Sequence, residues 1–413
     1  MKCAILSVGT ELLFGQITNT NTVYLSQQMN LLGIDVLYHY TVGDNDGRLE
    51  EILNLALSDC DLILTTGGLG PTEDDMTKET VCRVMGDTLV RHEPSMQALL
   101  DHAKKRGRVM TENNYKQAMM PSRAVVFDND KGTAPGFALE KDGKYILCMP
   151  GPPREMTRMF QRRALPFLKQ FQKDVIYYRT LRLFGKGESS LETDLLDLID
   201  EQTDPTIATY AKEGECQVRI ASKAPTRAQA EAAVDAMAEK IRERVGEFIY
   251  SENDEELADV VGKYLIEKGV TISCAESCTG GMFASDLISV PGISDVFERG
   301  LVTYTWRAKE EELGVRHETL ENYTAFSPEV AREMAEGLWK KTGSRICISV
   351  TGIAGPGGGD ADNPPGSAYI GLSVDGECTV HFQRGRDINR HWNRHYLVLT
   401  MLDLVRRAVI RMP

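Results

Sequence analysis

The chain has no apolar run approaching the 18–20 or so residues that a bilayer-crossing helix needs. Its start, MKCAILSVGTELL, has neither a basic leader nor a small-residue cleavage site, so a cytoplasmic protein without membrane attachment is the expectation. Positive charge is in deficit: 47 Lys and Arg against 60 Asp and Glu give a net charge of -13. That argues against nucleic acid or an acidic membrane as a general partner, while leaving room for a local pocket for a phosphorylated small molecule. The nine cysteines are an odd number scattered from Cys3 to Cys378; they build no disulfide framework and are expected to be reduced and buried. Several catalytic signatures are also missing: no G-x-S-x-G elbow, no G-x-x-x-x-G-K-[ST] loop and no G-x-G-x-x-G opening a helix. His391 and His395 lie four apart but lack the glutamate of H-E-x-x-H, and a surface pair is expected.

What is present is an ordinary globular composition, 42% apolar and 26% charged over 413 residues, too long for a single core. The texture divides the chain into residues 1–168, 169–252 and 253–413. In the first, the apolar runs Cys3–Val8, Asp35–Val42, Asp61–Thr66 and Lys144–Met149 alternate with amphipathic stretches near Asn21–Leu32, Arg48–Leu57 and Thr77–Val84. That pattern predicts a doubly wound α/β domain with a parallel sheet. The middle segment, with VIYYRTLRLFG, CQVRIAS and the helical AQAEAAVDAMAEKIRERV, reads as a small α+β piece ending at the polar SENDEE. A second α/β pattern follows: a helix to Lys268, strands at VTISC, Leu301–Tyr304 and RICISV, a helix opened by Ser327-Pro328, the pair SAYIGLSV and CTVHF, and a last helix from Asn389.

Chemistry-bearing residues gather where strands run out. DLILTT ends in Gly67-Gly68-Leu69-Gly70-Pro71-Thr72-Glu73-Asp74-Asp75, with Glu79 just beyond. Glycines between a strand and a helix expose backbone N–H groups where open α/β sheets bind phosphates. The acidic residues would repel a bare phosphate, so a divalent cation between them is the natural reconciliation; capping the next helix is the plainer role for the same side chains. Thr10-Glu11, Gly43-Asp44 and Pro150 to Glu155 end neighbouring strands and point to one pocket.

The third segment repeats the arrangement. VTISC delivers Ala275-Glu276-Ser277-Cys278-Thr279-Gly280-Gly281, the next strand delivers Tyr304 and then Lys309, and RICISV delivers Thr351-Gly352-Ile353-Ala354-Gly355. If these ends converge, Lys309 or Tyr304 can accept the proton of Ser277 in Ser-Lys-type nucleophile chemistry. Ser277 as a mere helix cap is the alternative. Cys274 and Cys278 lack the second pair a structural zinc site requires.

Taken together, SVGTELLFGQITNTN, VGDN, TTGGLGPTEDD, GTAPGF, MPGPPREM, FGKGESSLE, TYAKEGECQVRI, SCAESCTGG, VTYTWRAK, TGIAGPGGG and Phe382–Arg390 resemble the competence-damage-inducible CinA family along essentially the whole chain. The resemblance implies a molybdopterin-binding-like domain acting as a metal-dependent ADP-ribose pyrophosphatase. It also implies a C-terminal nicotinamide mononucleotide deamidase, and together they would make a nucleotide-salvage hydrolase. Its implied catalytic residues are Ser277 as nucleophile, Lys309 as base, Tyr304 as proton relay, and Asp75 in the first domain. The implied substrate contacts are Thr279, Gly280, Gly281, Ser294, Thr351, Gly352, Gly355 and Arg386 in one site, and Thr10, Glu11, Asn21, Gly67, Gly68 and Gly70 in the other. Asp44, Asp75, Glu79 and Glu155 are the implied ligands of a divalent metal; the deamidase needs no cofactor. Backbone N–H groups of Cys278–Gly281 or of the Thr351–Gly359 loop would supply the oxyanion hole, and a homodimer is expected. The chain departs from the family's usual asparagine at Trp306, a large ring expected to fill the pocket if it faces substrate. A non-catalytic nucleotide-binding or molybdopterin-binding protein is the alternative reading.

Overall fold

The computed structural model describes the chain apart from residues 106, 108–110, 173 and 387 and the side chain of Glu112. It divides into two compact units, one of Met1–Tyr177 with Ser222–Ala232 and one of Tyr178–Ala221 with Ala233–Pro413. Both are α/β. The segment read as a separate middle piece contributes residues to each.

In the first unit a six-stranded sheet runs Asp35–Val42, Lys2–Val8, Leu62–Thr66, Lys144–Met149, Gly136–Lys141, Val125–Phe127. The first four strands are parallel, as the apolar runs predict, and the last two are antiparallel additions at one edge. Leu62–Thr66 is buried at every position, which is why it is a continuous apolar run and not an alternating one. Register pairs Ser7 with Thr41 and Thr66, and Thr66 with Met149. The loops after Val8, Val42, Thr66 and Met149 therefore emerge on the same sheet edge.

In the second unit the sheet order is Phe297–Val302, Ile272–Glu276, Ile346–Gly352, Ala368–Val374, Glu377–Gln383. The first three strands are parallel and the last two form an antiparallel hairpin. Glu276 pairs with both Val302 and Val350, so Ser277, Thr303 and Thr351 are neighbours at the carboxyl edge. The helix Pro328–Thr342 packs this sheet with Val330, Ala331, Met334, Ala335 and Leu338, a one-face spacing. Ser327 accepts its cap bond from Val330 N, and Gly343 ends the helix at φ 68°. Burying a leucine such as Leu338 completely contributes about 1.5–3 kcal/mol. The strand before Tyr304 stops at Val302, two residues earlier than its apolar pattern suggests. Among the described residues no helix is long and apolar enough to cross a membrane.

Candidate functional site

At the carboxyl edge of the second sheet, Lys309 Nζ lies 3.0 Å from Ser277 Oγ and 2.6 Å from the carbonyl of Thr303. Thr305 caps the helix Trp306–Leu313 by accepting from Ala308 N, which turns Lys309 inward. Lys309 is fully buried, and that burial lowers its pKa to about 8. A lysine that is neutral for part of the time at physiological pH, hydrogen-bonded to a serine that is itself buried, is an activated-nucleophile pair.

The turn that presents Ser277 is held from both sides. Glu276, buried to 1% exposure, accepts hydrogen bonds from Gly281 N, Phe283 N and Ala284 N at 3.0, 3.2 and 2.9 Å. From the last helix, Arg394 donates to the carbonyls of Cys278 and Thr279 at 3.0 and 2.6 Å. Asn393 donates to the Ala354 carbonyl and Arg390 to that of Gly355, at 3.1 and 2.7 Å. Gly280 and Gly281 adopt φ of +62° and +93°, a left-handed bend that only glycine makes without strain. With Ser277 N donating to Val350 O and Gly280 N to Ser277 O, the Thr279 N–H is left without a partner among the described residues, and the Cys278 N–H meets only its own thiol. They follow Ser277 directly, where an oxyanion hole would stand if that serine were a nucleophile. The Gly281 N–H, expected to join them, is consumed by Glu276. The hydroxyls of Thr279 and Thr303, both fully buried on the segments carrying the pair, also lack partners.

Five expected residues stand elsewhere or act differently. Tyr304 is 60% exposed, and its hydroxyl accepts from Arg390 at 3.4 Å; among the described residues no hydrogen bond joins it to Ser277 or Lys309, because it lies past the strand end. Ser294 precedes the strand whose first residue, Phe297, pairs with Ile272, which puts it at the amino edge, opposite Ser277. Arg386 rests over the rings of Trp392 and Tyr396 at 5.8 and 5.2 Å, and Arg390 and Arg394 are the arginines on the glycine loops. Thr351 donates to the Ala325 carbonyl at 2.6 Å, so it anchors its loop from beneath, and Gly352 is packed so closely on Ala368 that a Cβ has no room. Trp306, at 42% exposure, does not stand between Lys309 and Ser277. Burial raises the thiols of Cys274 and Cys278, the latter to about 11, which leaves them as unreactive buried neighbours of the turn. His391 is exposed and His395 half-buried.

In the first unit the four strand ends enclose a cleft of about 470 Å³ containing Gly67, Gly68, Gly70, Pro150 and Gly151. Among the described residues five carboxylates line it, from Glu11, Asp44, Asp74, Asp75 and Glu155, and no lysine or arginine does. Gly67 packs on the Val8 carbonyl, Gly68 on the Thr77 hydroxyl and Gly70 on the Asp75 carboxylate, so none has space for a Cβ. The N–H groups of Gly68, Leu69 and Gly70 have no partner among the described residues, which suits a phosphate. Asn21 ties the cleft walls by donating to Thr66 Oγ1 and the Gly151 carbonyl at 2.9 and 2.7 Å.

The expected metal ligands are only partly together. Asp44 accepts from Thr10 N and Oγ1, Asp75 from Thr72 N and Oγ1, and Glu155 from Asn129 Nδ2. Glu79 is outside the cleft, facing Lys116 at 3.8 Å. Among the described residues no three His, Cys, Asp or Glu side chains converge closely enough to hold an ion. The hard oxygen donors of Asp44, Asp75 and Glu155 fit a divalent cation in chemistry, but each is held by its own partner. Two lysines unmarked in the sequence reading support the loop from below. Lys116 donates to the carbonyls of Thr72 and Asp75 at 3.2 and 2.5 Å, and Lys78, its pKa lowered to about 8 by burial, donates to the Lys116 carbonyl.

Comparison with known proteins matches three family models in chain order: a probable molybdopterin binding domain over residues 4–170, a damage-inducible protein CinA KH domain over 178–251, and a CinA C-terminal domain over 254–409. A CinA-like protein of Dictyoglomus turgidum is 46% identical over 413 residues, all of both chains. A CinA-like protein of Kosmotoga olearia is 45% identical over 411 residues, covering 99% of each. A solved structure of the protein CinA, of unknown function, from Thermoplasma acidophilum is 30% identical, covers 40% of this chain and 96% of its own, and gives a TM-score of 0.38. On full-length identity, and on three family models in one order, the chain belongs to the CinA family.

Proposed function

We propose that the second unit is a serine amidohydrolase acting on the carboxamide of nicotinamide mononucleotide. The observation that carries this reading is the 3.0 Å contact between Ser277 Oγ and a fully buried Lys309 with a depressed pKa. With Lys309 neutral, one of its N–H groups donates to Thr303 O and its lone pair accepts the Ser277 proton. The alkoxide attacks the carboxamide carbon, and the developing oxyanion is met by the N–H groups of Cys278 and Thr279. Lys309 then gives its proton to the departing nitrogen, the C–N bond breaks and ammonia leaves. A water, deprotonated by the same amine, cleaves the ester to nicotinate mononucleotide and restores Ser277. Arg390, joining Gly355 O to the exposed Tyr304, stands at the rim and suits the nucleotide phosphate. Purified protein given nicotinamide mononucleotide is expected to release ammonia, and Ser277→Ala to release none; equal rates in both refute the assignment.

A second activity rests on the glycine cleft, whose backbone donors and clustered carboxylates suit hydrolysis of the diphosphate of ADP-ribose. A divalent cation brought in on the diphosphate, and met there by single carboxylates of the cleft such as Asp75, would neutralise charge on the phosphates. Gly68, Leu69 and Gly70 would hold the phosphate oxygens, and Lys116 keeps that loop in shape from beneath. The expected result is AMP release from ADP-ribose that depends on added Mg²⁺ or Mn²⁺; release unaffected by chelation counts against it.

A further inference from the structure

Beside the glycine cleft the first unit contains a second cavity, of about 360 Å³, under the helix Glu93–Lys105. Its apolar wall is Pro94, Ala98, Leu99, Val126 and Pro135. Its polar groups include His92 and His102, and among the described residues no lysine or arginine lines it. The one carboxylate there among the described residues, Asp128, accepts from Arg163 at 2.9 Å. In such a chamber an uncharged heterocycle finds apolar walls for its faces and hydrogen-bonding groups for its edge. His92 shows which group is on offer. Its Nδ1 meets Ser95 Oγ at 2.7 Å and Ser95 N at 3.3 Å, while its Nε2 has no partner among the described residues.

The two cavities share a wall. Thr133 lines both, and Gln117 of the glycine cleft donates to Thr133 Oγ1 at 3.2 Å. Asn129 lines the chamber and donates at 2.7 Å to Glu155, which lines the cleft. Gly132 packs against the Glu155 carboxylate so closely that any side chain would push into this junction. Gln117, at 1% exposure, keeps its Oε1 buried with no partner at the junction, an acceptor waiting for a donor.

We propose that this chamber receives the purine base of a nucleoside diphosphate ester whose phosphates lie on the Gly67–Gly70 loop, so that the protein selects its substrate by the base as well as by the diphosphate. The proposal rests on the diphosphate-hydrolase reading above and names its specificity subsite. Ala98 is exposed on the helix, so Ala98→Trp can fill the chamber without entering a core. Pro94→Trp, on the helix's first turn and also exposed, is the second variant. Titration calorimetry on the full chain, with AMP and ribose 5-phosphate as probes and thermal unfolding as the check on folding, decides the matter. The wild type is expected to bind AMP at least about tenfold tighter than ribose 5-phosphate, and both variants to lose that preference while binding ribose 5-phosphate as before. Equal affinity for the two probes in the wild type, or an undiminished AMP preference in folded variants, overturns the proposal. AMP release from ADP-ribose, followed in the same preparations, tests the hydrolase reading separately: base-dependent binding without turnover retains the chamber and removes the hydrolase.

Discussion

The turn after Glu276 and the loop after Thr66 share a backbone plan: a buried parallel strand, two adjacent glycines at positive φ, and a helix. Their charges are arranged oppositely. In the second unit the carboxylate, Glu276, is turned inward to take three N–H groups, and the one amine, Lys309, is buried against the serine. In the first unit the amines of Lys78 and Lys116 support the loop from beneath through carbonyls, and the carboxylates line the open cleft. On the functions proposed above, the same strand-to-glycine turn would serve proton transfer where a cation is desolvated, and phosphate and cation binding where anions stay wet. The surroundings, and not the glycines, set the chemistry.

Substitutions that remove one arrangement while sparing the other test this contrast. The largest effect is expected from Lys309→Met, which removes the base: ammonia release should fall by about 10³-fold or more with ADP-ribose turnover unchanged. Because only the neutral amine accepts the serine proton, wild-type ammonia release should also rise with pH, be half-maximal near pH 8 and flatten above it. A rate independent of pH from 6 to 10 removes Lys309 from that role. Next, Asp75→Asn should lower metal-dependent AMP release by about 10²-fold and leave deamidation intact; full activity in this variant removes Asp75 from the cleft's chemistry. Glu276→Gln keeps the shape but places an amide N–H₂ toward backbone donors, at a cost of about 1–3 kcal/mol to the second unit, read by denaturant unfolding. Its ammonia release should fall through kcat and not KM, since the turn and not the substrate contact is disturbed; an unchanged kcat would show the turn to be rigid without it. The smallest effect belongs to Trp306→Asn: with the ring exposed and Lys309 already at Ser277, a change of about threefold or less in KM for nicotinamide mononucleotide is expected.

The parallel strands and their order along the chain were legible because buried strands such as Leu62–Thr66 leave uninterrupted apolar runs. The antiparallel strands Val125–Phe127 and Gly136–Lys141 were not, since the first is short and the second has only the brief buried run Gly136–Leu139 before the exposed Glu140 and Lys141. At the second site Ser277 and Lys309 were readable from their places at strand end and helix start. Glu276, one residue before the nucleophile, reads as the last residue of a strand, and nothing local says its carboxylate turns back to the next helix. Arg390, Asn393 and Arg394 share the first turns of the last helix, a spacing of three and four. That spacing acquires meaning only when the fold brings in carbonyls between 35 and 116 positions away. Tyr304 was misplaced by a two-residue difference in where its strand ends, enough to carry its side chain from the buried edge to solvent. Among the carboxylates of the first site, sequence gave proximity to a loop but not the partner: Glu79 belongs to Lys116, a residue 37 positions downstream that no pattern marks.

The central claim is that Ser277 and Lys309 together hydrolyse a carboxamide. The most direct measurement is ammonia release from nicotinamide mononucleotide by the full chain beside its Ser277→Ala variant, with folding of both verified. Release by the wild type and none by the variant is the predicted result; equal release by the two proteins, or none by a folded wild type, contradicts it.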